Sequence, residues 1–251
     1  MLGFEGLLLA LFRFLAFFMT FPLMNTRGVP MRVKIGLAAL TALIVNPECP
    51  VVFDSNWLWI SLIIQEIIVG LVLGFVVSIV FAIIYFAGQL IDVPIGFGMA
   101  SIFDPATGAQ MPVFSQFYYL LALAFFLAVD GHLWVLGALA KSYTYLPINS
   151  FFAMDVGLEV LVMLTKQIFL IGLQIAAPIM GTILLLDVVL GVITRTIPQL
   201  NVFILGFPLK ILLGLSIIML AIPAFLALAA TLFGRDGLLL EALIGMLKSG
   251  S

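Results

Sequence analysis

The sequence predicts an all-α, polytopic membrane protein. Hydrophobic residues fill 65% of its 251 positions and charged residues only 9%, whereas soluble domains hold about 45–50% and about 25%. Apolar runs recur along the chain, and those at residues 57–87, 157–195 and 202–233 exceed the roughly 20 residues that cross a bilayer as a helix. Together with the shorter run at residues 6–21, they lead us to expect six to eight hydrophobic helices, several of them broken.

Two features of these runs predict departures from a simple bundle. The run at residues 35–45 reaches only about 16 Å as a helix, so it is either re-entrant or shielded by other protein. Gly70 and Gly74 have a GxxxG spacing, which either lets another helix approach closely or arises by chance in a glycine-rich chain. We expect prolines to interrupt the run at 202–233, and a short amphipathic helix after residue 234.

The middle of the chain differs from the apolar runs around it. Residues 88–116 read GQLIDVPIGFGMASIFDPATGAQMPVFSQ. Pro94, Pro105 and Pro112 each remove a backbone donor and disfavour helix just before them, so we expect no uninterrupted helix here. Irregular backbone facing lipid would leave polar groups without partners, at several kcal/mol each. The segment is therefore interpreted as a loop that lines or closes a passage.

The residue types in this loop fit a turn that closes a space better than a catalytic site. Gly96 and Gly98 are more typical of a sharp turn than of an ion-selectivity filter, and Asp104 followed by Pro105 is a turn initiator. Flexible methionine and broad phenylalanine side chains suit a compliant seal, although both types also fill ordinary cores. The candidate gate residues are Gly96, Phe97, Gly98, Met99, Phe103, Asp104, Pro105, Gly108, Gln110, Met111, Phe114 and Phe117.

Charged residues inside the apolar runs form a second candidate set. Each would cost about 2.5–3.5 kcal/mol at mid-bilayer, so each should face protein or water. Three roles are open: a proton or ion relay, an ion pair that fixes assembly, or a helix end outside the hydrocarbon. Lys166 and Asp187 are a possible pair if their turns are neighbours. The set comprises Arg13, Glu66, Lys166, Asp187, Arg195 and Lys210.

No motif points to catalysis, a metal or a cofactor. The chain has one cysteine, Cys49, and one histidine, His132, which excludes an intrachain disulfide and clustered Cys or His metal ligands. Phosphate-binding loops, nucleophile elbows and zinc-protease signatures are absent from the sequence. Asp92 and Asp187 are not placed as a pair of intramembrane catalytic aspartates. We expect a protein that is not an enzyme.

Two long blocks carry a resemblance to a known family. Residues 88–113, with residues 184–215 (LLLDVVLGVITRTIPQLNVFILGFPLKILLGL), resemble the FliR family of flagellar biosynthesis proteins, which includes the T component of type III secretion. The likeness runs essentially end to end, and residues 196–211 favour the flagellar branch.

The resemblance implies a fold, a location and partners. FliR-like proteins are single-copy subunits of the type III export gate in the bacterial inner membrane, at the flagellar basal body. They assemble there with FliP and FliQ, and FlhB and FlhA are further expected partners. The family fold implies a FliP-like part at residues 1–155 and a FliQ-like helical hairpin with a tail at residues 156–251. No cofactor is implied.

The resemblance also implies a role for the central loop. The plug of the family maps onto about residues 102–117, where Phe114 and Phe117 resemble the aromatic residues of its seal. The expected function is export of unfolded flagellar proteins through a channel that this plug closes. Two alternatives remain open at this stage: a secondary transporter for a small solute, and an assembly scaffold that conducts nothing.

Overall fold

The computed structural model describes residues 4–25, 28–47, 56–96, 112–148, 154–197 and 202–248. Within these ranges all regular structure is α-helical, as predicted. There are eight helices in the described ranges: α1 (Phe4–Thr20), α2 (Met31–Val45), α3 (Asn56–Ile95), α4 (Val113–Ala128), α5 (Gly131–Tyr145), α6 (Met154–Thr196), α7 (Val202–Phe233) and α8 (Leu238–Lys248).

Several helices are long and apolar enough to cross a membrane. Three stretches meet that test, at Trp57–Ile95, Glu159–Thr196 and Leu205–Leu247. Helices α4 and α5 meet it only as a pair, and they are bent by 70° at the break between them. The prediction of a polytopic helical membrane protein with a broken span is confirmed.

The predicted proline breaks in the last apolar run are wrong. Pro208 and Pro223 lie inside α7, and Pro178 lies inside α6. A proline removes one donor and frees one carbonyl, a local loss that an apolar helix tolerates when its other backbone bonds remain. The prolines therefore do not divide the predicted C-terminal hairpin into shorter helices.

By contacts between Cα atoms, the chain divides into two compact units, and each is discontinuous in sequence. The first unit comprises Met1–Phe81, Phe126–Thr165 and Leu232–Ser251. The second comprises Ala82–Phe125 and Lys166–Thr231. This division follows compactness, whereas the predicted boundary at residue 155 concerns family likeness and stays a prediction.

The first unit is built around the contact of α1 with α3. A Cβ atom on Gly70 would overlap the Arg13 carbonyl oxygen, and one on Gly74 would lie 2.8 Å from the Phe17 carbonyl oxygen. The two helix backbones are therefore in direct contact, so the GxxxG spacing marks real packing rather than a chance pair. Ser78 extends this seam by donating a hydrogen bond to the Thr20 carbonyl at 2.6 Å.

The short helix α2 packs on α1 within the same unit. Its buried residues Lys34, Ala38 and Ala42 recur every four positions and so lie on one helix face. Leu40, 56% exposed, and Ile44, 73% exposed, point away from that contact. A helix of 15 residues spans about 22 Å, so the expectation of a segment too short to cross the hydrocarbon core is confirmed.

The second unit contains the end of α3, the start of α4 and most of helices α6 and α7. Ring contacts join its helices, with centroids 5.3 Å apart for Phe86 and Phe169 and 4.9 Å apart for Tyr118 and Phe225. In the most apolar window of α6, only 28% is buried. In the corresponding window of Leu205–Leu247, the stretch that contains α7, only 17% is buried. Their remaining surface is apolar, which suits contact with lipid or with other protein.

Candidate functional site

Both ends of the predicted central loop are helical in the structure. Helix α3 continues to Ile95 and α4 begins at Val113, so both ends of the segment 88–116 are helical. The same correction applies to residues 113–117 of the predicted plug. Pro94 is accommodated in the last turn of α3, where Ile91 and Ile95 are fully buried and hold that turn in place. Pro112 precedes α4, where a missing backbone donor costs little.

Gly96 ends α3 in a conformation that requires glycine. Its φ angle is +104°, and its N–H lies 3.2 Å from the Val93 carbonyl and 3.3 Å from that of Asp92. A Cβ atom at this position would also lie 2.9 Å from the ring of Phe207 on α7. Backbone conformation and packing therefore both favour glycine, so the predicted sharp turn at Gly96 is confirmed.

Asp92 fixes the point where the chain re-enters helix after the loop. Its Oδ1 accepts the Phe114 N–H at 2.9 Å, and its Oδ2 accepts the Ser115 N–H at 3.1 Å and the Ser115 hydroxyl at 2.8 Å. These N–H groups belong to the first turn of α4, which has no intrahelical acceptors for them. Pro112 has no side-chain acceptor, so a carboxylate from α3 caps α4. We call this arrangement the Asp92 clamp.

Close packing at Gly88 supports the Asp92 clamp. A Cβ atom on Gly88 would lie 2.6 Å from the Ser115 nitrogen and 2.9 Å from the Phe114 carbonyl carbon. The backbones of α3 and α4 therefore touch one turn below Asp92. Residues 96 and 112 directly follow α3 and precede α4. The contacts of Gly88 and Asp92 therefore hold the two ends of the intervening segment close together.

The described candidate gate residues differ in exposure. Phe114 is buried, with 4% of its surface exposed, whereas Phe117, one helical turn later, is 41% exposed. In this conformation Phe114 belongs to the packing at the base of the loop, and Phe117 presents its ring at the surface. The remaining candidate gate residues lie outside the described residues: Phe97, Gly98, Met99, Phe103, Asp104, Pro105, Gly108, Gln110 and Met111.

Two of the predicted charged residues meet in a buried ion pair within the first unit. Arg13 on α1 donates to Glu66 on α3 through Nε at 2.6 Å and Nη2 at 2.9 Å, a bidentate arrangement. Both side chains are 1% exposed. The ring of Tyr143 lies 3.8 Å from the Arg13 guanidinium carbon, and its hydroxyl donates to Glu66 Oε2 at 2.8 Å.

Every hydrogen-bond donor of the Arg13 guanidinium has an acceptor. Nη1 of Arg13 donates to the Ser142 hydroxyl at 3.1 Å and to the Leu146 carbonyl at 3.2 Å. Nη2 also reaches the Leu146 carbonyl, at 3.1 Å. All five guanidinium N–H groups therefore have an acceptor, which is the condition under which a buried charge is tolerated. The pair links α1, α3 and the end of α5.

The close approach at Gly70 and the ion pair depend on the same geometry. Gly70 lies four residues after Glu66 on α3, so both face the stretch of α1 that contains Arg13. A side chain at residue 70 would push α1 away and lengthen the guanidinium–carboxylate distance. The glycine therefore positions the two charges.

The second unit contains another ion pair, with a partner that differs from the predicted one. Asp187 on α6 binds Lys210 on α7, with Nζ and Oδ1 2.6 Å apart. The suggested pairing of Asp187 with Lys166 is wrong, because both lie on the continuous helix α6, about 30 Å apart along its axis. Lys166 and Arg195 are exposed. The pair that forms connects the two long helices.

Sequence reasoning missed Asp92, Ser142 and Tyr143. A signal for Asp92 exists: Gly88, Asp92 and Gly96 recur every four residues, which places a carboxylate between two glycines on one helix face. No comparable signal exists for Ser142 and Tyr143, since they reach Arg13 and Glu66 across long sequence separations.

These features define a class: a polytopic α-helical membrane protein with a buried ion pair, in which the end of α3 and the start of α4 are clamped together at mid-chain. A family model described as Bacterial export proteins, family 1, matches residues 4–235. The chain belongs to this family, and the resemblance to FliR is confirmed by its relatives.

Three of those relatives cover most of the chain. The flagellar biosynthetic protein FliR of Pectobacterium carotovorum is 36% identical, over 94% of this chain and 92% of its own. That of Escherichia coli K12 is 34% identical with the same coverage. That of Bacillus subtilis 168 is 35% identical, over 87% of this chain and 86% of its own.

Proposed function

We propose that this chain is a subunit of the flagellar protein export apparatus in the bacterial inner membrane, and that its central loop closes the export passage at rest. Membership of the bacterial export family supports the first part, since its relatives are flagellar biosynthetic proteins. The observation that carries the second part is the Asp92 clamp, which anchors both ends of a proline- and glycine-rich segment in the core of the unit.

A loop with an anchored base suits a reversible closing element. The helices on either side of it are in contact at Asp92 and Gly88, so the chain leaves and re-enters the unit at one place. Because Asp92 and Gly88 hold the two ends together, displacement of the proposed plug would leave the flanking helices folded. Such a segment has two states, closed at rest and displaced when an unfolded substrate enters.

The proposed gate acts with partners and without chemistry of its own. FliP and FliQ would complete the passage, and FlhB and FlhA are further expected partners. The exposed apolar surfaces of α6 and α7 provide area for such contacts. Energy would come from the partners and the proton-motive force, and this chain would be a non-enzymatic part of the gate.

Deletion of residues 106–110 tests the gate function while leaving the Asp92 clamp intact. We expect cells with the assembled complex to become permeable to small solutes that the parent excludes. A matched variant replaces the same five residues by glycine and serine, and it should leak less because chain length is retained. If conductance stays at background in the deletion while the complex assembles normally, the loop does not close a passage.

The purified complex and its deletion variant also distinguish the gate function from a transporter or a scaffold. A solute transporter should remain stable and active when purified alone, whereas a gate subunit should require FliP and FliQ. A scaffold that conducts nothing should assemble the complex and show no leak on deletion. A transporter would use intramembrane charges to bind or relay its substrate or a coupled ion, yet Arg13 and Glu66 have their hydrogen bonds satisfied within the chain. This satisfaction favours a structural role for them.

A further inference from the structure

Helix α7 contacts both of the helices that flank the central loop. Near the start of α4, the ring of Tyr118 lies 4.9 Å from the ring of Phe225, between centroids, and both residues are buried. Closer to its own start, α7 meets the end of α3 through Gly214 and Phe207. All four residues belong to the second unit. One helix therefore supports both helices that the proposed plug connects.

The contact at Gly214 is a close fit of a small residue against a large one. A Cβ atom on Gly214 would lie 2.7 Å from Ile95 Cδ1 and 3.8 Å from Ile183 Cδ1 on α6. Both isoleucines are fully buried, so their side chains have little room to give way. The last turn of α3 is therefore packed directly on α7, beside α6.

Phe207 makes the second contact with the end of α3. It precedes Gly214 by seven residues, so both lie on one face of α7. A Cβ atom on Gly96 would lie 2.9 Å from Cε2 and 3.1 Å from Cδ2 of the Phe207 ring, so the Gly96 backbone rests against that ring. Gly96 is also the residue with a positive φ angle at which α3 ends. Phe207 therefore supports the chain where it leaves the helix.

The ion pair of Asp187 with Lys210 lies close to these contacts. Lys210 precedes Gly214 by four residues, which is about one helical turn. Asp187 follows Ile183 by four residues, so on both helices the pair lies about one turn from the packing around Gly214. Both charged side chains are partly exposed, so the pair adds little to the overall stability. It aligns α6 with α7 near the end of α3.

We infer that Phe207 is a positioning residue for the proposed plug, through which α7 sets the point where the central loop begins. The inference rests on the proposed function, because a fixed starting point affects closure only if the loop closes a passage. Without the ring, Gly96 loses its contact with α7, and the last turn of α3 can take more than one position. A plug that starts from several positions closes the passage less completely.

The test compares two alanine variants of the full chain in its purified complex. Leu209→Ala is the matched control for Phe207→Ala, because both residues are 44% exposed and Leu209 lies on a different side of α7. In hydrogen–deuterium exchange, the amide of Gly96 should exchange about tenfold faster in Phe207→Ala and at the parent rate in Leu209→Ala. Phe207→Tyr should restore the parent rate, because it keeps the ring.

Solute leakage in cells shows whether this position matters for closure. Phe207→Ala should leak less than the deletion of residues 106–110 but clearly more than Leu209→Ala, although the two alanine variants should unfold at similar free energies. If the deletion leaks and Phe207→Ala does not, the inference is overturned and the gate function stands. Equal exchange of Gly96 in the two alanine variants would also overturn it. If no variant leaks, the gate function is overturned, and with it the role of Phe207 in closure.

Discussion

Substitution of Asp92 by asparagine should loosen the base of the central loop while leaving the rest of the fold intact. The carboxylate accepts three hydrogen bonds from the first turn of α4, through both of its oxygens. Asparagine has nearly the same shape, but it presents an NH₂ group where one oxygen stood. That group faces the Ser115 N–H, so one buried donor loses its acceptor.

The structure sets the expected magnitude. A buried donor left without a partner costs about 1–3 kcal/mol, and loss of a helix N-cap about 0.5–2 kcal/mol. We take about 2 kcal/mol for detachment of the start of α4. At about 1.4 kcal/mol per factor of ten, the detached population rises roughly 30-fold.

Hydrogen–deuterium exchange of the full chain in its complex measures this population, since local opening controls exchange of protected amides. We expect amides in the peptide covering residues 112–118 to exchange roughly 30-fold faster in Asp92→Asn. Asp130→Asn is the matched control, because Asp130 precedes α5 without a side-chain capping bond. If Asp92→Asn leaves this peptide as protected as Asp130→Asn does, the Asp92 clamp does not anchor the loop.

Three further predictions concern the ion pairs and the helix seam, all measured as the free energy of unfolding in mixed micelles. Glu66→Ala should cost about 3–5 kcal/mol because it leaves Arg13 buried without a counter-charge. The double variant Arg13→Leu/Glu66→Leu should cost clearly less, and equal costs would contradict the buried ion pair. Gly70→Ala should cost about 1–3 kcal/mol because the added methyl group forces α1 away from α3. Gly181→Ala, where the added methyl group meets nothing, should be neutral or stabilising, and similar effects of the two variants would refute close packing at Gly70. Lys210→Gln should cost less than about 1 kcal/mol, since the pair with Asp187 is partly exposed, and a loss as large as that of Glu66→Ala would show that this pair holds the hairpin.

The sequence predicted the helices well because hydrophobic runs and bilayer thickness determine them almost alone. The long run at residues 202–233 coincides with α7, and the amphipathic tail after residue 234 coincides with α8. The prolines misled the prediction, since Pro208 and Pro223 lie within a helix whose other backbone bonds suffice. Local rules for proline hold for soluble helices more strictly than for apolar ones.

Tertiary partners were less accessible from the sequence. The free-energy cost of a charge in hydrocarbon predicted that Arg13 and Glu66 face protein or water. Their pairing depends on the close approach of α1 to α3 at Gly70, and the sequence alone did not decide whether that approach occurs. Lys166 was a possible partner of Asp187 only if their turns were neighbours, and about 30 Å of the continuous helix α6 separates them. Tyr143 carried no signal at all, since its role arises only when α5 reaches the ion pair.

The contact between the central loop and an exported chain tests the account most directly. A photoreactive phenylalanine analogue at Phe103 should crosslink to an unfolded flagellar substrate stalled during export, and it should give no such adduct without the substrate. The same analogue at Phe169, 61% exposed on α6, serves as a control outside the loop. An analogue at Phe103 that labels only lipid, or that never labels the stalled substrate while export proceeds, would contradict the proposed gate.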